Sequence, residues 1–391
     1  MKGDLHVRFC GNLRVKFPWV TRLCAMLKPS PIKMTTMIKN IFTLFLIAVT
    51  HLVSAQTAQD FADKGYKSMN SGDYANAIQS FTKAIQLSPA TAWYYHDRAV
   101  SFDAIGKYQE AINDFNKALS IEKTADSYNG IGITYTNLEK FTDAISYFNK
   151  SLALDKTNAE TFYNLGYAYG NLKDYDNAIK NFNEALKINT AHERALNGRA
   201  ITLMTLKKYD EALVDLNSLE KINPNDLEII NYKATCLYET QKFADAIFAY
   251  SKLIAANPND LHLLSQRAAS YSFTNQPNEA IKDYSRILNL VKKTESKFLI
   301  SNTYYFRGKA YATTENYQSA VKDFDECLKI NPTDGTALFY RATCKLQLNQ
   351  DIDACADYKS AVKNGFTNSF DYKQIMTSNP DYFEKTFGSC K

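Results

Sequence analysis

The sequence predicts an all-α chain built as a stack of two-helix units, and three observations carry that prediction. Nine alanines recur in register: Ala77, Ala111, Ala144, Ala178, Ala212, Ala246, Ala280, Ala320 and Ala354, with gaps of 34, 33, 34, 34, 34, 34, 40 and 34 residues. With each alanine set at position 20 of its unit, position 8 is always tiny: Gly65, Ala99, Gly132, Gly166, Ala200, Ala234, Ala268, Gly308 and Ala342. Position 24 is always large and apolar, from Phe81, Phe115, Phe148 and Phe182 through Leu216, Tyr250 and Tyr284 to Phe324 and Tyr358. A fixed period of this length marks a solenoid. Its function then lies in the surface that the stack creates.

Within a unit, positions 4, 7, 8 and 11 form one helical stripe and positions 17, 20, 24 and 27 form another. A polar break such as Asn70-Ser71-Gly72-Asp73 separates them and reads as a turn. Each unit is therefore two antiparallel helices whose backbones approach closely at the small residues of positions 8 and 20. Position 17 is aromatic in seven units, beginning with Tyr74 and Tyr108. Pro89, Pro224, Pro258 and Pro332 fall at position 32, where they stop the second helix. The units run 58–91, 92–124, 125–158, 159–192, 193–226, 227–260, 261–300, 301–334 and 335–366.

This pattern resembles the tetratricopeptide repeat family over about residues 58–366. The resemblance implies a right-handed superhelical solenoid of about nine helix-turn-helix repeats. Two units depart from it at position 17, where Pro277 and Asp351 replace the aromatic. Leu219, Leu253 and Ile287 are bulky at position 27, where Ala84, Ala118 and Ala185 are small, and predict wider helix spacing in units five to seven.

A correlation runs inside the units. Position 7 is Arg in five of them (Arg98, Arg199, Arg267, Arg307, Arg341), and in the same five position 23 is Asp (Asp114, Asp215, Asp283, Asp323, Asp357). In a hairpin that turns near position 15 these positions face each other. One-to-one matching is what a structural ion pair needs, because a lone charge there would be costly. A row of ligand-binding charges is the competing reading.

The formal charge of +5 arises at the N-terminus. Residues 1–55 hold eight Lys/Arg and one acid, Asp4; without them 38 basic residues face 40 acidic ones. The repeat body carries no phosphate-binding stripe, so no nucleic-acid partner is expected. A basic start at Met37-Ile38-Lys39-Asn40, an apolar run from Ile41 to Val49, and Val53-Ser54-Ala55 before Gln56 give residues 34–55 the layout of a secretory signal peptide. Membrane contact is expected only if that segment stays uncleaved. Residues 1–33 precede it, fit no pattern, and read as a start called too early, with Met34 or Met37 the true start. The protein is thus expected to be exported, periplasmic or secreted, from a bacterial envelope.

Chemistry for catalysis is missing. The histidines His96, His192 and His262 lie in three different units, without metal-ligand spacing, and there is no glycine-rich phosphate loop. Neither a cofactor, a metal nor an enzymatic activity is expected. Of the five cysteines after the leader, Cys236, Cys327, Cys344, Cys355 and Cys390, the three at 327, 344 and 355 are placed to cluster near the C-terminus. They pack as small core residues or, in an exported protein, oxidise as one pair and leave an odd thiol. The segment 367–391, with Phe370, Tyr372, Tyr382, Phe383 and Phe387, is expected to cap the last unit.

The resemblance also implies that the first helix of each repeat lines a concave groove through positions 2, 5, 6, 9, 12 and 13. Carried onto this sequence, those positions select Asn129, Tyr163, Asn164, Tyr167, Asn197, Asn231, Tyr232, Tyr238 and Tyr305 as candidate peptide-binding residues. Asn amides bond an extended backbone, and Tyr adds rigid contact area with a polar tip. The charges of this face are mostly acidic, including Asp126, Glu160, Glu228 and Glu239 against Arg194 and Lys309. The expected partner is a protein or peptide of neutral to basic character. The expected function is a protein-interaction scaffold, with an envelope assembly or transport accessory, or a glycan-binding module, as alternatives.

Overall fold

The computed structural model describes residues 56–291 and 296–390. The upstream segment and the signal lie outside the described residues. The chain divides into two compact units, one ending at Lys123 and the other beginning at Thr124.

Among the described residues, the first unit holds two hairpins: α1 (Ala58–Asn70) with α2 (Tyr74–Leu87), and α3 (Ala92–Ala104) with α4 (Tyr108–Ile121). Helix α1 starts in a capping box, in which Thr57 Oγ1 accepts from the Asp60 amide while the Asp60 carboxylate accepts from the Thr57 amide at 2.7 Å. Phe81 is fully buried on Gly65, among Ala62, Ala77 and Ala84.

Among the described residues, the second unit holds seven hairpins. They are α5 (Ala125–Asn137) with α6 (Phe141–Leu154), α7 (Ala159–Asn171) with α8 (Tyr175–Ile188), and α9 (Glu193–Thr205) with α10 (Tyr209–Ile222). Next come α11 (Leu227–Glu239) with α12 (Phe243–Ala256), and α13 (Leu261–Phe273) with α14 (Pro277–Leu290). The last are α15 (Lys297–Thr313) with α16 (Tyr317–Ile330), and α17 (Gly335–Gln347) with α18 (Asp351–Lys363). The departures at position 17 are harmless because that position opens the second helix. Pro277 sits at the first turn of α14, where its missing N–H has no intrahelical acceptor to lose. The bulky residues at position 27 are absorbed into the interior: Leu219, Leu253 and Ile287 are buried in a core that runs from Tyr163 to Ala310.

The small residues of position 8 answer to the ring at position 24. A Cβ on Gly166 would stand 2.7 Å from Phe182 Cδ1 and 3.1 Å from the Ala178 carbonyl oxygen. Gly65, Gly132 and Gly308 likewise face Phe81, Phe148 and Phe324. Units with Leu or Tyr at position 24 have Ala at position 8, and Ala99 beside Phe115 is the exception. Between the helices of every hairpin, position 15 is left-handed. Gly72 and Gly106 adopt it at φ 76°, and Glu139, Lys173, Lys207, Gln241, Asn275, Glu315 and Asn349 at φ 56–61°.

The Arg–Asp correlation is structural. In all five units the guanidinium Nε donates to one carboxylate oxygen at 2.6–2.8 Å and Nη2 to the other at 2.5–2.9 Å. The third nitrogen, Nη1, reaches position 25 of the preceding hairpin. It donates to Thr82, Asn183, Ser251, Ser285 and Asp325 in turn, at 2.5–3.0 Å. One arginine thus fixes hairpin register and ties its hairpin to the one before.

After α18, Gly365 turns the chain at φ 82° into a short 3-10 turn (Phe366–Asn368), followed by α19 (Phe370–Ser378), α20 (Tyr382–Phe387) and a final 3-10 turn (Gly388–Cys390). Phe366 stacks on Phe339 with ring centroids 4.0 Å apart, and Phe387 stacks on Tyr358 at the same separation. The cysteine expectation needs correction. Cys355 is bonded to Cys390, not to Cys344 or Cys327. Cys344 points into the core, where burial pushes its thiol up to about 11. The end of the tail instead returns over α18 and brings Cys390 to Cys355, with Cα atoms 5.1 Å apart.

Candidate peptide-binding face

In the second unit, the first helices of successive hairpins meet through the positions proposed for the groove. Glu160 and Arg194 both occupy position 2, on α7 and α9, and the Arg194 Nη1 donates to Glu160 Oε1. His192 caps α9. Its Nδ1 accepts from the Ala195 amide at 3.2 Å, which leaves the ring proton on Nε2 to donate to Glu160 Oε2 at 3.1 Å. Tyr163 is stacked on His192 at 5.6 Å, and the Arg194 guanidinium lies 4.3 Å from its ring centroid. Burial raises the Tyr163 hydroxyl above its ordinary pKa, against the opposing pull of Arg194. Tyr167 follows one turn on, 6.3 Å from Tyr163, and is 45% exposed.

Asn129, Tyr163, Asn164 and Tyr167 therefore come together, but not all as contact surface. Tyr163 is only 9% exposed and belongs to the core beside Phe182. Asn164 is buried and donates to Asn129 Oδ1 at 3.3 Å, which also accepts from Thr161 at 3.3 Å. Both amides thus serve α5–α7 packing. Among these four, Tyr167 is the side chain presented outward.

The remaining candidates are dispersed. Asn197 is half-buried, and its Oδ1 is buried without a hydrogen-bond partner among the described residues. Asn231 is exposed on α11. Tyr232 donates to Glu228 at 2.7 Å, and Tyr238 packs edge-on to Phe243 and Phe273. Tyr305 is covered: its hydroxyl donates to Asp371 of α19 at 3.0 Å. Sequence reasoning passed over His192 and the Glu160–Arg194 link. The available signal was a pair of opposite charges at one position in consecutive units. A depression of about 690 Å³ lies elsewhere, against α8, and includes Asn183 and Arg199, which already bond each other. No group of three or more His, Cys, Asp or Glu among the described residues is placed to hold a metal.

Family profiles described as tetratricopeptide repeat match residues 63–91, 94–124, 125–158, 159–190, 203–270 and 301–334. The chain belongs to the tetratricopeptide repeat family. Its curated relatives in this family include the small glutamine-rich tetratricopeptide repeat-containing protein 2 of Mycosarcoma maydis. It is 36% identical over 76 residues, which are 19% of this chain and 22% of the relative. Another is the Hsp70-Hsp90 organizing protein 3 of Arabidopsis thaliana, 42% identical over 57 residues, 15% of this chain and 10% of the relative. The chain spans about a fifth or less of the length of these two relatives. Among solved structures, a tetratricopeptide repeat protein from Parabacteroides merdae matches at 22% identity and a TM-score of 0.36, over 76% of this chain and 100% of that one. YrrB, described as a tetratricopeptide repeat protein with an unusual peptide-binding site, matches at 19% identity and a TM-score of 0.35, over 56% of this chain and 95% of that one.

Proposed function

We propose that the protein is a non-enzymatic interaction scaffold that holds an extended peptide across the first-helix face of its second unit. The observation that carries this reading is the α7–α9 junction. There an exposed tyrosine, Tyr167, lies 6.3 Å from Tyr163, whose ring carries a cation, Arg194, that Glu160 already neutralises. Exposed aromatic area over a rigid, satisfied support is what a peptide side chain packs against. Asp126 and Glu239 stand exposed on first helices of the same unit, which favours neutral or basic ligands.

Export is part of the proposal. Its supports are the signal-like residues 34–55 and the Cys355–Cys390 disulfide, a bond that oxidising compartments permit. Among the described residues no helix is long and apolar enough to cross a membrane.

The test is binding to an array of extended peptides graded from acidic to basic. Tyr167→Ala should lower affinity about tenfold, the loss typical of an exposed aromatic contact worth about 1.4 kcal/mol. Higher salt should weaken the basic ligands. Selection of acidic peptides, or unchanged binding by Tyr167→Ala, would refute the assignment.

A further inference from the structure

We propose that Tyr305, Lys309 and Tyr340 form a carboxylate-binding pocket whose present occupant, Asp371 of the tail, holds the place of an acidic side chain of a partner peptide. This site goes beyond the α7–α9 face and takes the opposite ligand charge.

The pocket is built on two rigid helices. Tyr305 and Lys309 lie one turn apart on α15, at the same positions 5 and 9 that Tyr163 and Tyr167 hold on α7. Tyr340 comes from α17. The Lys309 ammonium stands 4.4 Å from the Tyr340 ring centroid and 5.5 Å from that of Tyr305, so two ring faces fix it in place. Lys309 Nζ and the Tyr305 hydroxyl converge on one oxygen, Asp371 Oδ2, at 3.4 and 3.0 Å. A positive charge and a neutral hydroxyl donor aimed at one point, over aromatic walls, select a carboxylate.

The occupant is the least secured part of the arrangement. Helix α19, which supplies Asp371, buries none of its residues, and its first residue, Phe370, is 77% exposed. The chain on either side is anchored firmly. Phe366 is 1% exposed on Phe339, while Phe387 is 2% exposed and Cys390 is bonded to Cys355. A helix of nine residues with no fully buried side chain, seated on the core through half-buried Tyr372 and Ile375, opens more readily than the repeats beneath it. A tethered carboxylate acts at an effective concentration on the order of millimolar. Free acidic peptides therefore bind poorly until Asp371 is displaced or neutralised.

The experiment uses the full chain and a fluorescent, end-blocked peptide of its own residues 369–377, with a control peptide carrying Asn in place of the aspartate. Asp371→Asn should bind the Asp peptide at least tenfold more tightly than the unaltered chain, and should not discriminate in favour of the Asn peptide. Adding Lys309→Met should remove the gain. Cys390→Ser, which releases the tail end and keeps Asp371, should give a smaller gain in the same direction. If Asp371→Asn melts α19, the pocket is only more open and the same gain is expected. An Asn peptide with a free C-terminus that binds as tightly would extend the ligand class to chain ends. Equal affinity of the unaltered and Asp371→Asn chains for the Asp peptide would overturn the proposal, as would equal binding of the two end-blocked peptides. Either would reduce Asp371 to a contact that merely seats the tail.

Discussion

Arg307 satisfies three acceptor atoms at once, two on Asp323 at 2.7 Å and the Ser285 hydroxyl at 3.0 Å. Asp323 is 4% exposed, and burial already pushes its carboxyl above the ordinary range against the attraction of Arg307. Arg307→Ala should therefore cost about 3 kcal/mol in urea unfolding, because it strands a buried charge. The double variant with Asp323→Ala should recover part of that loss, whereas additive losses would show that the pair does not interact. The pairing itself is legible in the sequence as Arg at position 7 matched to Asp at position 23. The third contact is not legible, because position 25 offers Thr82, Asn183, Ser251, Ser285 or Asp325, four residue types that have only an acceptor oxygen in common. The two tyrosines of α7 divide in the same way. Spacing places both on one face, but the pressure of His192 and Phe182 buries Tyr163 and leaves Tyr167 outside. Tyr163→Ala should cost about 3–5 kcal/mol of stability through the cavity it leaves. Tyr167→Ala should leave the melting curve within about 0.5 kcal/mol of the parent, as a surface change does.

At the scale of the helix hairpin, the recurring left-handed residue at position 15 sets the turn. Gly72 adopts it at φ 76°, and a Cβ there would meet open space. Gly72→Ala should still destabilise by about 1 kcal/mol, because the left-handed backbone itself penalises a side chain. Thermal unfolding checks this, and an unchanged melting temperature would mean that the turn relaxes to another conformation. The hairpins were legible because small residues at positions 8 and 20 recur at helical spacing. Their turn conformation was not, since seven of the nine turns use Glu, Lys, Gln or Asn there. Those side chains tolerate the strain because the hairpin on either side over-determines it.

At the scale of the whole molecule, the end of the chain returns over its last hairpin and is pinned there by Cys355–Cys390 across a sequence separation of 35 residues. Closing a loop of that size in the unfolded chain is worth about 3–4 kcal/mol. Cys390→Ser should therefore lower the melting temperature of the C-terminal hairpins, and an unaltered transition would mean that aromatic packing alone holds the tail. Sequence reasoning expected the aromatic tail to cap the last unit, but grouped Cys355 with Cys327 and Cys344 and left its bonding open. Repeat positions bring together cysteines of neighbouring helices, and they do not see a segment that comes back from beyond the repeats. The central claim is that ligands lie along the first-helix face of the second unit. Photo-crosslinking tests it most directly, with a photoreactive phenylalanine analogue placed at Tyr167 and, for comparison, at Val214, a 63% exposed residue of the second helix α10. Neutral or basic extended peptides should crosslink from position 167 and not from 214. Crosslinking from 214 alone would move the binding surface to the second helices and contradict the account.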